Sequence, residues 1–409
     1  MSIVVQKYGG TSVRNLECQK QVLAKVKRPL QDGDKVVVVL SAMSGETNRL
    51  IALGKEWSAN PDPAEMDSLV ATGEQVSVSL FAMLLLSHGI RARSLLAHQI
   101  PIRTTKSYSK ARITKIDSAK LKALLEEFDV LVVAGFQGMD DDGRITTLGR
   151  GGSDTSGVAL AAALQADVCE IYTDVPGVFT TDPNICSKAR KMDRIAYDEM
   201  LEMASMGAKV LQIRSVEFAK KYNVAVHVRS TFSDEPGTIV TKEDKRMEAV
   251  LVSGIAYDKD QARITLTRVH DRPGVSAAIF GPIAAKKILV DMIVQNPSKD
   301  GRTDITFTVP RIDVEPTLKI LEGLKLELGC EDILHDAAVA KISVIGVGMR
   351  NHSGVASMAF QALSKENINI KMISTSEIKI TCLIEEKYTE LAVRTLHDAF
   401  GLEKDSLKA

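Results

Sequence analysis

Thr147-Leu-Gly-Arg150-Gly-Gly-Ser153-Asp154-Thr-Ser-Gly157 is the stretch whose reading decides the fold. It lies downstream of the apolar run Val130-Leu-Val-Val-Ala134 and passes straight into the helical pattern of Val158–Leu164, so it joins a strand to a helix. Glycines at 149, 151 and 152 let backbone N–H groups approach an anion with no Cβ in the way. Ser153 and Asp154 fall where that helix would be capped, at its partially positive N-terminus. Arg150 can fork onto a carboxylate or a phosphate. One loop thus offers a cation, free amides, a hydroxyl and a carboxylate, equipment for an anionic small molecule. A tight turn with an Asp or Ser cap is the plainer alternative. The chain contains no G-x-x-x-x-G-K-[ST], so the loop is not a P-loop.

Two further loops share this character. Ile3-Val-Val-Gln-Lys7-Tyr-Gly9-Gly10-Thr11-Ser12 reads as a strand ending in a lysine, two glycines and two hydroxyls, then a helix over Val13–Val26. A lysine at a strand's carboxyl end suits a migrating phosphoryl group, although a surface lysine before a turn has the same local pattern. Val36-Val-Val-Val-Leu40 runs into Ser41-Ala-Met-Ser44-Gly-Glu-Thr47-Asn, again strand, small polar residues, helix. In open α/β sheets ligands bind where several such strand ends meet. Three loops of one kind argue for one site.

Strand-like runs at 3–5, 35–40, 92–96, 130–134, 169–173 and 224–228 alternate with helical patterns near 14–28, 65–88, 118–127, 154–165 and 198–221. This grammar implies an α/β, three-layer αβα sandwich with a mainly parallel sheet over residues 1–232. Ser233-Asp-Glu-Pro-Gly237 is a turn cluster and Lys242-Glu-Asp-Lys-Arg246 a charged segment, so 233–249 reads as a linker. Beyond it lies an internal repeat. Gly274, Val275, Phe280, Ile288 and Met292 match Gly354, Val355, Phe360, Ile368 and Met372, each 80 residues later. Each copy reads strand, glycine turn, helix, strand, strand, with a further helix at 314–327 or 387–399, the β-α-β-β-α-β plan of a ferredoxin-like α+β domain. The expected boundaries are 250–337 and 338–409.

Composition bounds the function. The 409 residues suffice for two or three domains, and 45% hydrophobic with 25% charged residues is ordinary for a globular chain. Fifty-two basic residues balance fifty-two acidic ones, so neither nucleic acid nor an anionic membrane is expected as a partner. The apolar run Leu80–Leu86 is too short to span a bilayer, and the start lacks a secretory pattern. Five scattered cysteines without C-x-x-C suit reduced thiols in the cytoplasm, and the histidines show no metal-ligand spacing.

Six motifs in register, Lys7-Tyr-Gly-Gly-Thr-Ser, Ser41-Ala-Met-Ser, Ala71-Thr-Gly-Glu74, Gly135-Phe-Gln-Gly, the Thr147–Asp154 loop and Tyr172-Thr-Asp174-Val-Pro-Gly-Val, resemble the aspartate kinase family. That family belongs to the amino acid kinase superfamily and carries two C-terminal ACT domains. The resemblance covers essentially the whole chain. It implies transfer of the ATP γ-phosphoryl group to the side-chain carboxylate of L-aspartate. That reaction opens the route to lysine (through diaminopimelate), threonine and methionine. It implies ATP and Mg²⁺ as cofactors, the cation held mostly by phosphate oxygens and water.

Residue by residue, Lys7 matches the lysine that stabilises the migrating phosphoryl group. Asp154 matches a carboxylate organising that lysine and the metal–phosphate region. Arg150 matches the clamp on the substrate α-carboxylate, and Glu74 the acid receiving its ammonium. Ser41, Thr47, Gly151, Gly152 and Ser153 complete the substrate side. For the nucleotide the resemblance implies Lys7, Gly9, Gly10, Ser41, Thr173, Asp174, Phe179, Asp182, Pro183, Asn184, Lys209 and Val210. Turn roles for Asp174 and Asp182, a surface glutamate at 74 and a solvated lysine at 209 are the ordinary alternatives.

ACT domains bind free amino acids and pair across subunits, so lysine or threonine, or both, are expected effectors of a homo-oligomer. Asp271, Gly274, Val275, Gln295, Asn296, Thr303 and Asp304 are the expected contacts. The second repeat lacks an acid at the position of Asp271. Met247 leaves room for a shorter regulatory subunit from an internal start, and no fused dehydrogenase is expected after the second repeat. A superfamily enzyme acting on glutamate, acetylglutamate or carbamate, or a silent amino-acid sensor, are the competing functions. Intact Lys7, Arg150 and Asp154 disfavour the sensor.

Overall fold

The computed structural model describes residues 2–207, 210–244, 247, 250–296 and 301–404. The chain divides into two units. The first comprises Met1–Phe179, Lys191–Ser205 and Lys209–Glu248; the second comprises Thr180–Arg190, Met206–Ala208 and Ala249–Ala409.

In the first unit the strands are β1 (Ile3–Tyr8), β2 (Lys35–Leu40), β3 (Ala92–Leu95), β4 (Ile102–Thr104), β5 (Ile113–Ile116), β6 (Val130–Ala134), β7 (Gln137–Met139), β8 (Ile145–Thr147), β9 (Cys169–Thr173), β10 (Arg194–Ala196), β11 (Val226–Ser230) and β12 (Thr238–Thr241). The helices are α1 (Leu16–Gln31), α2 (Glu46–Trp57), α3 (Pro63–Val70), α4 (Thr72–Ser87), α5 (Ser118–Glu127), α6 (Gly152–Leu164), α7 (Tyr197–Ser205) and α8 (Ile213–Tyr222). An eight-stranded sheet runs β10-β12-β11-β9-β1-β2-β6-β3, with every neighbouring pair parallel except β11–β12. β2 and β6 are buried along their whole length, as valine-rich strands covered on both faces must be. Val22 and Val26 of α1 and Val78, Phe81 and Leu85 of α4 pack on one face against Val36, Val38, Val130 and Val132. On the other face α6, buried over most of its length, lies against β1 and α8.

The parallel αβα sandwich is the architecture the sequence implies, with three local differences. Thr238–Thr241, inside the stretch 233–249 expected as linker, forms β12 between β10 and β11, because its alternating burial completes that sheet edge. The single helix expected over 65–88 is two, meeting at Ala71, and that over 198–221 is also two. A small sheet, β5-β4-β7-β8, covers the loop region with strands of three or four residues, too short to show an alternation in sequence. The helical run Pro63–Ser87 is long and apolar enough, by length and composition, to cross a membrane, unlike Leu80–Leu86 alone. Half of it is buried, and Asp67 and Glu74 sit inside that buried half, as in a core helix.

The second unit holds β13 (Gly254–His270), β14 (Asp291–Gln295), β15 (Arg302–Val309), β16 (Asp332–Ile345), β17 (Met372–Thr375) and β18 (Lys379–Glu385), with α9 (Val275–Ala285), α10 (Val314–Leu328), α11 (Val355–Lys365) and α12 (Thr389–Ala399). They form one six-stranded antiparallel sheet, β14-β15-β13-β16-β18-β17. Two separate cores confirm the repeat: Ile264, Ile279, Phe307 and Leu321 in one, Ile342, Ala359, Ile380 and Leu396 in the other. Gly274 and Gly354, at φ +91° and +101°, open α9 and α11 in the same left-handed conformation. The copies interlock. Residues 254–258 of β13 pair with Lys341–Ile345 of β16, which in turn pairs with β18. The residues expected to begin the first copy therefore complete the sheet of the second.

Thr180–Arg190 also belongs to this unit. Ile255 N–H donates to the Thr180 carbonyl at 2.7 Å, Thr180 Oγ1 lies 3.0 Å from His397 Nε2, and Tyr257 OH donates to Asp182 Oδ2 at 2.9 Å. This segment lies inside the stretch 1–232 expected as the first domain, and its partners lie on β13 and α12.

Candidate functional site

The three loops converge at the carboxyl ends of β1, β2 and β6. Lys7 is buried, and its Nζ lies 2.5 Å from Asp154 Oδ1 in the first turn of α6. Gly157 makes this possible: a Cβ there would stand 3.1 Å from Lys7 Cβ, so α6 packs directly on the lysine stem. Gly10 permits the first two loops to touch, since a Cβ on it would meet the Ala42 carbonyl at 2.8 Å. Ser44 N–H donates to Gly10 O and Ser41 N–H to Tyr8 O, both at 3.2 Å. Gly135 gives the third approach; its Cβ would come within 2.9 Å of Ser153 Cβ and 3.1 Å of the Leu40 carbonyl. Lys7, Gly10, Ser41, Gly135, Ser153 and Asp154 are thereby brought together.

Helix α6 starts differently from its expected cap. Gly151, at φ +70°, is the N-cap residue without any side-chain cap bond, and Ser153 and Asp154 sit inside the first turn. A left-handed glycine turns the chain at once, which frees both side chains to face the site. The Gln212 side chain fills the space where a Cβ on Gly151 would be, with its Cγ 1.9 Å away. Arg150, between the glycines, is exposed and has no hydrogen-bond or ion-pair partner among the described residues.

Glu74, in the first turn of α4, is 2% exposed. Its Oε1 accepts from Ala42 N–H at 2.9 Å, while Oε2 has no partner among the described residues. Burial pushes its carboxyl up to about 7, offset in part by the Ala42 N–H and its own backbone. A surface glutamate is thus ruled out. Thr47, in α2, is half-buried.

On the nucleotide side, Gly9 N–H donates to Tyr172 O at 3.4 Å, and a Cβ on Gly9 would stand 3.7 Å from Lys7 Nζ. Thr173 ends β9 in a tight turn, exchanging bonds with Val175 through Oγ1. Buried Ser12 and Thr231 meet through their hydroxyls at 2.7 Å beside these strand ends, a pair the sequence reading missed. Asp174 is exposed, while Phe179 and Val210 are half-buried. Asp182 takes the turn role instead of a free one: it accepts from Asn184 N–H and Nδ2 and from Tyr257 OH, and it lies with exposed Pro183 and Asn184 in the second unit. Lys209 lies outside the described residues. Among the described residues no group of three or more His, Cys, Asp or Glu could hold a metal. One carboxylate beside one lysine fits a divalent cation that arrives on nucleotide phosphates, with Asp154 as its protein partner.

In the second unit Asp271, Arg272, Pro273, Gly274, Val275, Ser276, Ala277 and Gln295 line a cleft of about 560 Å³ at the N-terminus of α9. Ser276 Oγ donates to Gln295 Oε1 at 3.0 Å, and Asp271 N–H is fixed by Gly301 O. Thr303 and Asp304 are otherwise engaged. Thr303 is buried and donates to the exposed Asn296's carbonyl at 2.5 Å, and Asp304 Oδ1 accepts from Arg268 N–H. Their alternate positions on β15 turn them to backbone, a register that sequence proximity could not reveal.

The amino acid kinase family model matches residues 2–230, and ACT domain models match 263–325 and 342–400. An aspartate kinase of Pseudomonas putida is 55% identical over 404 residues, covering 98% of each chain. Aspartokinase III of E. coli, solved with aspartate and ADP, superposes with a TM-score of 0.81 at 28% identity, over 97% of this chain and 99% of that one. The same enzyme solved with lysine and aspartate gives 0.76 at 28% identity, with the same coverage. A domain order, two ACT matches and full-length identity of this level leave one assignment: the chain belongs to the aspartate kinase family.

Proposed function

We propose that this chain uses ATP to phosphorylate the side-chain carboxylate of L-aspartate, giving 4-phospho-L-aspartate, with the residues gathered around Lys7 as its active site. The observation that carries the reading is Glu74 Oε2, a buried carboxylate oxygen without a partner among the described residues, set on the loop wall that faces the strand ends. A buried acid left unsatisfied costs stability unless a cation arrives, and the substrate ammonium supplies one. Arg150, without a partner among the described residues, then takes the α-carboxylate as a fork. An α-amino acid with a second carboxylate satisfies both groups.

The acceptor carboxylate is ionised at neutral pH and needs no general base. Catalysis becomes alignment plus neutralisation of charge spread over the migrating phosphoryl oxygens. Lys7 delivers a positive charge there, and Asp154 holds its Nζ in place. Ser153 and the N-terminal amides of α6 add donors on the acceptor side. Gly9 keeps the space beside Lys7 Nζ free of a side chain, and Gly10 lets the second loop close in behind it. Bound Mg²⁺ would neutralise phosphate charge, with Asp154 as its protein partner.

The cleft at Asp271 is read as the effector site. Its carboxylate beside the N-terminus of α9 offers an acid and free amides to the two ends of an amino acid. Lysine, which E. coli aspartokinase III binds in the solved complex, is the first effector to test, then threonine. β14 and β17 are edge strands, and an edge left open to another copy supports a homo-oligomer paired through these domains. Five free, buried cysteines suit a reducing cytoplasm. The test is incubation with Mg-ATP, hydroxylamine and single candidate acids, reading acyl-hydroxamate. Signal with L-aspartate alone supports the reading; signal with glutamate or acetylglutamate instead, or none from folded protein, overturns it.

A further inference from the structure

We propose that Asp67 of α3 is a positioning residue for aspartate binding, acting by holding the Thr147–Asp154 loop in its working shape. The inference rests on the reading above that this loop grips the substrate through Arg150. Asp67 is 1% exposed, and no lysine or arginine pairs with it among the described residues. A carboxylate that deeply buried must be satisfied by hydrogen bonds. Among the described residues its donors come from two places. Thr147 gives its N–H to Oδ2 at 2.7 Å and its hydroxyl to Oδ1 at 2.8 Å. Ser109 gives its N–H to both oxygens, at 3.0 and 2.9 Å, and its hydroxyl at 3.4 Å.

Both partners bear on the glycine loop. Thr147 is the residue from which it departs, three before Arg150. Ser109 is held at φ +65°, and its carbonyl packs where a Cβ on Gly149 would be, 2.8 Å from that position. Asp67 therefore fixes the base of the loop and the wall it leans on with one side chain. Arg214 finishes the clamp, donating to the carbonyls of Leu148 and Ala111, the latter at 2.9 Å. Arg150 itself touches no described polar partner, so its aim depends on the backbone beneath it. The same short helix pair carries Glu74 seven residues on, so the carboxylate that orders the Arg150 loop and the one that takes the ammonium share a rigid support.

Asp67→Asn keeps the shape but turns one acceptor into a donor that faces at least one N–H group in either orientation of the amide. In the full-length protein the KM for aspartate should rise about tenfold or more, with the KM for ATP within about twofold, since small displacements of a positioning group cost this much. Thr147→Val removes one hydroxyl donor and keeps the backbone bond, so the same KM should rise about threefold. The double variant should show less than the product of the two effects, because both act through one bond network. Arg150→Ala runs in parallel. If it raises the aspartate KM and Asp67→Asn does not, or if Asp67→Asn raises both KM values together while Thr147→Val changes neither, Asp67 is only a structural residue. If Arg150→Ala leaves the aspartate KM unchanged, the loop reading falls and the inference with it. Should Asp67→Asn not fold, Thr147→Val decides by the same split.

Discussion

Replacing Glu74 with glutamine should make the protein more stable and a poorer aspartate binder, with both effects set by pH. The carboxyl is buried and raised to about 7 from an ordinary 4.5. The folded chain thus holds this proton where the unfolded chain has lost it. Stability falls as pH climbs from about 4.5 to about 7 and is level above that. The span corresponds to on the order of 3 kcal/mol. A glutamine side chain would keep the bond from Ala42 N–H and carry no charge, so Glu74→Gln should recover most of that sum at pH 8 and little at pH 5. In a unit of this size each kcal/mol moves the melting temperature roughly 2–4 °C.

Binding runs the other way. The substrate ammonium needs the ionised carboxylate, of which about a tenth is present one pH unit below its midpoint, so the apparent KM for aspartate should rise about tenfold between pH 8 and pH 6. Free aspartate's own carboxyls do not titrate in that range. Calorimetry in two buffers of different ionisation enthalpy should show nearly one proton released per aspartate bound at pH 6, and none for Glu74→Gln. A wild-type KM that is flat from pH 6 to pH 8, without proton release, would refute the argument.

Lys7→Ala should lower kcat by about 10²–10³, as expected when a preorganised charge is removed from a transition state. It should also destabilise by about 3 kcal/mol, because Asp154 is left buried without its partner. Lys7→Ala combined with Asp154→Asn should regain stability in denaturant titrations but not turnover. Gly151→Ala meets Gln212 Cγ at 1.9 Å and a φ of +70°, so about 1–3 kcal/mol should be lost, with a raised aspartate KM in steady-state assays. Asp271→Ala should weaken inhibition by lysine or threonine roughly tenfold while uninhibited turnover stays within about twofold, read from dose–response curves. Unchanged inhibition would place the effector elsewhere.

Local signals carried the chain a long way. Valine runs at 36–39 and 130–133 announced strands buried on both faces, and both are. The glycines of the three loops read as leaving room for an anion, and two of them, Gly10 and Gly157, also admit a protein neighbour close to where a Cβ would stand. The 80-residue recurrence announced two copies of one unit, and two cores with matching left-handed glycines follow it. These features are encoded within a turn or two of chain, where periodicity and φ preference act.

Other features have no such code. Asp67 meets Ser109 and Thr147 across 42 and 80 residues, and Arg214 reaches Leu148 across 66. A buried aspartate on a helix and a solvated one look the same in sequence until the fold supplies the donors. The Oε2 of Glu74, without a partner among the described residues, the exchange of strand halves between β13 and β16, and the membership of Thr180–Arg190 in the second unit belong to this class. The sequence by itself determined the αβα and ferredoxin-like layers, the order of the domains and the loops that carry charge and glycine, because those rest on local periodicity and backbone freedom. Only the tertiary structure decided which buried carboxylates are satisfied and which, like that of Glu74, keep an oxygen without a partner among the described residues, because that balance of desolvation and hydrogen bonding is set by groups distant in the chain.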